Sequence, residues 1–407
     1  MCSHTPMVWA QEGLHRVRTP DSWPASPATM FYSTMLAIER CPRAWALVRA
    51  EHCGISGYPE KPTVGAVRGR VIHRALERCA LAMCESGNSS VDAVSIVTVL
   101  RALGGLSKIL VESAAEEMAI LAQNPRASSH LDDYDKALSQ DLPKMRSTLQ
   151  QMLRGTDIAQ GSVRTDHGAG ASPRALGEGS HPEQWVEASD LGWAGIVDLL
   201  TLSPSGCVMT DFKTGVLKPE HEFQVRVYAT IWALDSVRNP DSRLATELRL
   251  TYPTQTVQVS APTRAEVEVL TAELRQRASA ARSEVEQNPP PARPEPETCR
   301  WCQTRQLCEE YWAASVGWQP ESLAAEQMTD LEFASEGHDG ASFLAGTALR
   351  GGGAAPGTRV LIRVGDSASS ELARAGTLRC TGILRLRDDD PSRRMFVSTK
   401  ETELFVV

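Results

Sequence analysis

The alternation of apolar and polar residues in the middle of the chain predicts an antiparallel sheet. Three extended runs cover residues 185–188, 193–202 and 207–213. Turn-forming residues separate these runs at 190–192 and 203–206. Turn residues between alternating runs are typical of a meander in which each strand pairs with the next. Two short strands at 247–251 and 256–260 are predicted to extend the sheet.

Apolar residues at helical spacing predict helices around this sheet. The clearest case is 223–234, where the apolar residues recur every three or four positions. A helix is also predicted at 67–83, and a helical insertion before the sheet at 90–123 and 132–153. Together these elements predict an α/β fold, with a central mixed sheet flanked by helices and an N-terminal helical insertion. Further helices are predicted at 33–40, 43–51 and 264–287.

The ends of the chain and one internal segment carry weaker patterns. Residues 1–29 are polar and rich in proline, so a flexible lead is expected, and the Gly- and Ser-rich segment 155–182 is expected to be a flexible loop. Residues 316–357 lack a clear period and end in a glycine-rich run, which predicts a linker. Alternation within 358–407 predicts a small β module.

The small β module has two interpretations. A barrel like that of oligonucleotide-binding domains would suit its many arginines, and a module that docks onto a protein partner is an equal interpretation. Asp388, Asp389 and Asp390 argue against a uniformly basic face. The arginines are Arg379, Arg385, Arg387, Arg393 and Arg394.

Composition narrows the class of protein. The 407 residues are 42% hydrophobic and 23% charged, which is typical of a globular chain with two or three domains. The formal net charge of -8 is unusual for a nucleic-acid-binding protein, so any such surface has to be locally basic. No apolar signal segment or membrane-spanning stretch is visible, so a cytoplasmic protein with no membrane partner is predicted. In that compartment, clustered cysteines favour metal binding over disulfides.

Two carboxylates and a lysine fall on neighbouring predicted strands. Residues i and i+2 of a strand share a face, so Asp211 and Lys213 point the same way and Asp198 can lie beside them. Carboxylate oxygens are ligands that Mg²⁺ and Mn²⁺ prefer, and such a cation lowers the pKa of a bound water. An ion pair on a solvated strand face is the alternative for the isolated Asp-Phe-Lys triplet. Gly195, three residues before Asp198, favours the metal site.

Two predicted helices carry further candidates. Gln224 and Tyr228 are i and i+4, so they share a helix face that can lie over the metal site. Alternatively, they are an ordinary amide and phenol on a half-buried helix. His73 lies on or near the apolar face of its helix, where a histidine is usually a satisfied core residue. Glu187 is expected to be a solvated strand residue, with a contact to the metal site as the alternative.

Three cysteines lie close together in the sequence, towards the C-terminal end of the predicted α/β fold. Cys299, Cys302 and Cys308 need a fourth ligand, for which Cys41 and Cys53 compete. A four-cysteine site suits Zn²⁺ or a [4Fe–4S] cluster, and spacing alone does not decide between them. The neighbouring Arg300, Trp301 and Arg305 either contact a DNA strand by charge and stacking or form a solvated loop with one packed tryptophan.

Taken in chain order, these motifs resemble one family. Gly69-x-x-x-His73, Gly195-x-x-Asp198, Asp211-x-Lys213 and Gln224-x-x-x-Tyr228 are similar to the RecB-like branch of the PD-(D/E)XK nucleases. One early cysteine and a late Cys-x2-Cys-x5-Cys resemble its iron–sulfur members, among them the CRISPR adaptation nucleases and the nuclease domain of AddB. The resemblance covers residues 33–312 and leaves the C-terminal part uncovered.

The resemblance implies a restriction-endonuclease-like core over 30–315 that hydrolyses DNA, acting on single strands or DNA ends in repair, recombination or defence. It implies Mg²⁺ or Mn²⁺ held by Asp198, Asp211, His73 and the backbone carbonyl of Phe212. Lys213 would position the attacking water, and Gln224 and Tyr228 would support Lys213 or contact the strand. A [4Fe–4S] cluster, with Zn²⁺ as the alternative, would join the two ends of the domain through Cys41, Cys299, Cys302 and Cys308.

Two other classes of function stay open at this point. One is a non-cleaving DNA-binding or scaffold subunit of a larger nuclease–helicase complex, which the acidic net charge favours. The other is an interaction protein with a structural zinc site. The chain has no Gly-x4-Gly-Lys-Ser/Thr phosphate loop, so a separate helicase would have to supply any unwinding.

Overall fold

The computed structural model describes residues 15–86, 93–154, 156, 174–318, 327–340, 342–364, 376–387, 390 and 392–407. The predicted flexible lead at 1–29 and the predicted loop at 155–182 lie partly outside these residues. The chain divides into two compact units. The central unit comprises Pro27–Leu36 and Pro62–Arg282. The terminal unit comprises Ala37–Lys61, Ser283–Val407 and the described part of Met1–Ser26, a division that differs from the predicted boundaries at 30–315 and 358–407.

The elements of both units are numbered here in chain order. The helices are α1 (Tyr32–Arg40), α2 (Pro42–Arg49), α3 (Val64–Glu85), α4 (Ala93–Ala102), α5 (Leu106–Ala122), α6 (Leu131–Arg154), α7 (Pro219–Leu234), α8 (Arg264–Val285), α9 (Pro296–Cys299) and α10 (Glu309–Ser315). The strands are β1 (Glu51–His52), β2 (Ile55–Ser56), β3 (Gly179–Ala188), β4 (Trp193–Ser203), β5 (Gly206–Phe212), β6 (Glu247–Thr251), β7 (Thr256–Val259), β8 (Met328–Asp339), β9 (Phe343–Gly351), β10 (Arg359–Arg363), β11 (Thr377–Arg385), β12 (Arg393–Val397) and β13 (Glu403–Val406).

The central unit is built on a mixed sheet of five strands in the order β3-β4-β5-β6-β7. The strands β3, β4 and β5 form the predicted antiparallel meander. The strands β5 and β6 run parallel, and α7 lies in the crossover between them. The predicted mixed α/β core flanked by helices is therefore confirmed.

The predicted helical insertion packs with α3 in one apolar core of the central unit. Helices α3, α5 and α6 share this core with Leu199 of β4 and Phe212 of β5. The helical stretch predicted over 90–123 consists of two helices, α4 and α5. Gly104 and Gly105 stand between them with φ of 85° and 88°, a backbone conformation that a helix cannot continue.

The terminal unit contains a sheet that closes on itself. Its strand order is β12-β10-β9-β8-β11-β13, and a further pairing of β11 with β12 completes a ring of five strands. The strands β10 and β12 run parallel, and the other neighbours in the ring are antiparallel. Alternate side chains point into the ring, where Phe333, Ile362, Ile383 and Phe396 are fully buried. The predicted C-terminal β module is therefore a barrel.

The linker expected over 316–357 is corrected by the structure. The strands β8 and β9 occupy most of its described part and supply two of the five barrel strands. The register of β8 against β9 shifts between Glu332 and Phe333 and again between Ser335 and Gly337. These bulges break the period of two, so the alternation that marks a strand is lost in the sequence.

Buried charges fix the segment with the late cysteines to the barrel within the terminal unit. Arg379 on β11 donates to Glu332 at 2.9 Å and to the Gln306 carbonyl at 2.7 Å, and it also pairs with Glu309. Its guanidinium lies 5.2 Å from the centre of the Trp312 ring. Each donor thus has an acceptor, as buried charges require.

Among the helices of the described residues, none has the length and apolar character needed to cross a lipid bilayer.

Candidate active site

Two carboxylates lie side by side on adjacent strands of the central sheet. Asp198 is on β4 and Asp211 is on β5, next to the paired residues Leu199 and Thr210. The backbone N–H of Phe212 donates to Asp198 Oδ2 at 2.6 Å, which fixes that carboxylate. Asp211 is 2% exposed. The meander therefore brings the two predicted metal ligands together, as the strand pattern indicated.

A chain of polar contacts leads from Asp211 to helix α7. Lys213 Nζ lies 2.6 Å from Asp211 Oδ2 and donates to Gln224 Oε1 at 2.9 Å. Gln224 Nε2 in turn donates to the Tyr228 hydroxyl at 2.7 Å. Because Gln224 and Tyr228 are one helical turn apart, a single helix face holds both over the end of β5. The lysine ammonium is thereby held between a carboxylate and an amide.

Two glycines let these elements approach closely. A Cβ built on Gly195 would lie 2.8 Å from Tyr228 Cε1, and one built on Gly69 would lie 3.2 Å from Thr214 Oγ1. Gly195 therefore makes room for the tyrosine ring above β4. Gly69 of α3 likewise makes room for Thr214, which follows β5.

His73 of α3 lines the same cavity, which measures about 270 Å³. Burial is the main cause that lowers the pKa of His73, the charge of Asp211 raises it, and the charge of Lys213 lowers it further. The imidazole is thus held neutral, which is the form that ligates metals. The cavity is also lined by Asp198, Asp211, Phe212, Lys213, Gln224 and Tyr228.

The two carboxylates are held in an environment that disfavours their charge. Burial is the largest cause that raises the pKa of Asp211, the neighbouring charge of Asp198 raises it further, and Lys213 lowers it. Burial likewise raises the pKa of Asp198, against the hydrogen bond from Phe212 and the charge of Lys213. A bound cation would favour the ionised form of both groups.

The donor set fits a hard divalent cation such as Mg²⁺ or Mn²⁺. The buried Asp211 carboxylate has the Lys213 ammonium 2.6 Å from its Oδ2, and both residues line the cavity that would receive the cation. Within the described residues, no three His, Cys, Asp or Glu side chains are already arranged to hold a metal ion. The site is therefore a pair of carboxylates, with His73 and Phe212 lining the same cavity.

The structure adds a carboxylate that the sequence pattern missed. Glu183 sits in β3 opposite Asp198, between the register pairs Pro182–Leu199 and Gln184–Val197, and its φ is 47°. Burial, followed by the charges of Asp198, Glu77 and Asp211, raises the pKa of Glu183 to about 8. The sequence pattern missed it because the predicted strand began only at residue 185, whereas β3 begins at Gly179. The only sequence signal was Pro182, which disfavours a regular strand interior.

Glu187, the glutamate that the sequence singled out on this strand, makes local contacts. Its carboxylate accepts hydrogen bonds from Trp185 Nε1 and Ser189 Oγ, both at 3.2 Å. Its backbone N–H donates to Asp235 Oδ2 at 2.9 Å.

The four predicted cluster cysteines line one small cavity of the terminal unit. Cys41, Cys299, Cys302 and Cys308 all border it, together with Arg43 and Arg305. The competing Cys53 is exposed and borders a different cavity, so it is not part of this group. The late triplet and the early cysteine are therefore brought together by the fold.

Polar groups lie near three of these sulfurs. The backbone N–H of Arg293 donates to Cys41 Sγ at 3.5 Å, the Thr304 hydroxyl lies 3.6 Å from Cys302 Sγ, and the Cys308 thiol donates to Glu310 Oε2 at 3.5 Å. Burial is the main cause that raises the thiol pKa of Cys299 and of Cys308. A metal held here would have to offset this burial, and a donor such as the Arg293 N–H would help to stabilise the thiolate charge.

The residues beside the cysteines are not equally open to a ligand. Trp301 is 70% exposed, and the Arg300 guanidinium lies 4.9 Å from its ring, so both are accessible. The packed tryptophan of the alternative interpretation is thus not observed. Arg305 pairs with Asp330 and donates to the Cys302 carbonyl at 3.0 Å, so it stabilises the fold internally.

Comparison with known proteins gives one informative match. The family model of the PD-(D/E)XK nuclease superfamily matches residues 32–309. No curated protein sequence matches the chain. Among solved structures, the one described as "Crystal structure of SSO0001" is 13% identical, with 48% of this chain and 85% of that chain covered and a TM-score of 0.22. We draw nothing from a structural match with so low a TM-score.

Proposed function

The chain belongs to the PD-(D/E)XK nuclease superfamily, and we propose that its central unit is a metal-dependent deoxyribonuclease of the RecB-like branch. Its substrate is proposed to be single-stranded DNA or DNA ends. The observation that carries the proposal is the convergence of Asp198, Asp211, Lys213 and Gln224 on one cavity.

Asp198 and Asp211 would hold Mg²⁺ or Mn²⁺, with His73 and the Phe212 carbonyl as additional donors. A divalent cation at this place lowers the pKa of a water and neutralises phosphate charge. The neutral imidazole of His73 favours Mn²⁺ over Mg²⁺, because nitrogen ligands suit the transition metal better.

Lys213 is proposed to orient the attacking water. Its ammonium lies between Asp211 and Gln224, and the residue lines the cavity. A fixed cation there stabilises the charge that develops on the phosphate without reorganising during the reaction. Gln224 and Tyr228 act through Lys213 as positioning residues.

Glu183 adds negative charge to the same environment. Its carboxylate interacts electrostatically with both Asp198 and Asp211. A bound cation would therefore attract three carboxylates rather than two. We propose that Glu183 increases the affinity of the site for a divalent cation. The pair Asp198 and Asp211 remains the minimal ligand set.

The four cysteines are proposed to hold a [4Fe–4S] cluster, with Zn²⁺ as the alternative. Their convergence on one cavity and the backbone donor facing Cys41 support the proposal. The role would be structural, since the cluster would link Cys41 after α1 to the late triplet around α9 and α10.

The experiment that tests the nuclease is cleavage of 5′-end-labelled single-stranded DNA with Mg²⁺ or Mn²⁺. We expect Lys213→Ala to reduce the cleavage rate by about 100-fold or more. Lys144→Ala, an exposed lysine of α6, is the matched control and should cleave like the wild type. Cleavage by Lys213→Ala at the full rate would refute the proposal. Binding without cleavage by the wild type would favour the non-cleaving DNA-binding subunit.

A further inference from the structure

The barrel of the terminal unit has a topology with a known binding face. Counted from its first strand, the ring of β8, β9, β10, β12 and β11 runs 1-2-3-5-4-1, and its third and fifth strands are parallel. That arrangement is an OB-fold, in which the second and third strands and the loops 1–2 and 4–5 bind oligonucleotides or oligosaccharides. In this chain those strands are β9 and β10.

The outer side of β10 carries two exposed arginines. Arg359 and Arg363 are the first and last residues of the strand, and Leu361 lies between them on the same side. On β9 their register partners are Thr347 for Arg359 and Phe343 for Arg363. The residues of the opposite side, Val360 and Ile362, are fully buried in the barrel. The outer side of this strand pair therefore offers cationic groups at both ends.

An aromatic ring stands beside one of these arginines. The Arg363 guanidinium lies 6.0 Å from the centre of the Phe343 ring. Within the described residues, no carboxylate forms an ion pair with Arg363, in contrast to Arg359. A base can stack on such a ring while the guanidinium meets the adjacent phosphate.

The other end of the same face gains a third arginine from β12. Arg393 pairs in register with Arg359. Each has a carboxylate nearby, Asp339 at 3.2 Å from Arg359 and Asp390 at 3.5 Å from Arg393. These ion pairs are solvent-exposed and contribute little to stability, so phosphates can replace the carboxylates at small cost.

Two more arginines meet where the 4–5 loop joins β11 to β12. The neighbouring charge of Arg394, after burial, lowers the pKa of Arg385, so the two cations oppose each other. Arg385 Nη1 is buried and has no hydrogen-bond partner within the described residues. An anion placed between the arginines would relieve the repulsion and accept from that nitrogen.

We propose that the outer face of the barrel binds single-stranded DNA. We name it the barrel face and define it by Phe343, Arg359, Arg363 and Arg393. The five residues of β10 span roughly 17 Å, room for a few nucleotides, and OB-folds bind from about four nucleotides upwards. Arginines with a stacking ring match a charged, base-bearing strand, whereas a neutral oligosaccharide would leave the arginines unused. The site goes beyond the nuclease function and does not depend on it.

The barrel face also explains how a chain with an acidic net charge can bind a polyanion. The chain carries a formal net charge of -8, and the cavity of the central unit is lined by the two carboxylates Asp198 and Asp211 beside Lys213 and Lys218. Affinity for a polyanion then needs a locally basic surface, and the barrel face supplies one.

The test is the affinity of the full-length protein for a fluorescent oligothymidylate of about 15 nucleotides. Binding is measured by fluorescence anisotropy in the presence of EDTA, which removes the divalent cations and so prevents metal-dependent cleavage. We expect Arg359→Ala/Arg363→Ala to raise the Kd by about tenfold or more and to flatten the salt dependence by roughly 0.7 per lost charge. Phe343→Leu, which keeps an apolar side chain but removes the ring, should raise the Kd by about fivefold or more.

A charge-matched control separates the barrel face from net charge. Lys400→Ala/Arg275→Ala removes two exposed cations from outside the face and should leave the Kd within about twofold of the wild type. An unchanged Kd for Arg359→Ala/Arg363→Ala, or an equal loss in the control, would overturn the proposal. Tighter binding of oligouridylate RNA than of DNA would overturn the choice of ligand.

The experiments distinguish failure of the proposed nuclease from failure of DNA binding by the barrel face. If the wild type binds in EDTA, the barrel variant does not, and no cleavage follows on adding Mg²⁺ or Mn²⁺, the barrel face stands and the nuclease fails. If both proteins cleave alike and bind alike, the nuclease stands and the barrel face fails.

Discussion

The ring of Tyr228 occupies the space that a side chain at residue 195 would need. A Cβ on Gly195 would lie 2.8 Å from Tyr228 Cε1 and 2.9 Å from Cδ1. Tyr228 also ends the polar chain that runs through Gln224 to Lys213. The glycine of β4 therefore controls the position of the lysine through Tyr228 and Gln224.

Gly195→Ala should damage activity more than DNA affinity. The added methyl must push the Tyr228 ring aside, which costs about 1–3 kcal/mol of stability and shifts Lys213 through Gln224. We expect a cleavage rate about 100-fold lower with a nearly unchanged KM. Gly177→Ala, at a glycine with nothing within 4 Å of its built Cβ, is the control. A wild-type rate in Gly195→Ala would show that the tyrosine position is unimportant.

Removing only the Tyr228 hydroxyl should have a smaller effect than removing the amide of Gln224. Tyr228→Phe leaves the Lys213–Gln224 hydrogen bond in place, so we expect a rate loss of about tenfold at most. Gln224→Leu removes both bonds and should cost more. Single-turnover rates measure the difference, with Tyr134→Phe as control, since that hydroxyl donates to the Pro62 carbonyl at 2.7 Å. If Tyr228→Phe were slower than Gln224→Leu, the proposal that Tyr228 acts on Lys213 through Gln224 would be wrong.

The stability of the metal-free protein should fall as pH rises from about 4.5 to about 8. The pKa of Glu183 is raised, mainly by burial, from 4.5 to about 8, so the folded state binds more protons than the unfolded state in this window. Unfolding free energy then decreases with pH. In EDTA at pH 8 we expect Glu183→Gln to be more stable than the wild type in urea unfolding. The difference should vanish near pH 4.5.

Two comparisons make this pH test specific. Glu268→Gln, an exposed glutamate of α8, should follow the wild type at every pH. Mg²⁺ should stabilise the wild type at pH 8 by mass action, because a cation binds the ionised folded site. A Glu183→Gln curve that runs parallel to the wild type at all pH values would mean that this carboxyl is not perturbed.

Sequence patterns located most of the candidate site because its residues sit on regular elements. The period of two placed Asp211 and Lys213 on one sheet face, with Asp198 beside them on the neighbouring strand, and the i and i+4 spacing placed Gln224 with Tyr228. Glu183 was missed because the predicted strand began only at residue 185, whereas β3 begins at Gly179. The strand β8 was missed for a different reason, since its register against β9 shifts between Glu332 and Phe333 and between Ser335 and Gly337. Periodicity thus fails where a strand bulges.

The choice of the fourth cysteine gives the sharpest test of the cluster. Cys41 borders the same cavity as the late triplet, whereas Cys53 is exposed and borders another. We therefore expect Cys41→Ser to lose iron and visible absorbance after anaerobic purification, and Cys53→Ser to keep both. The wild type should contain about four irons per chain. Equal iron in both variants would show that Cys41 is not a ligand, and stoichiometric zinc without iron would establish the zinc alternative. Because the cluster is proposed to link Cys41 to the late triplet, Cys41→Ser should also lower the unfolding midpoint, and Cys53→Ser should not.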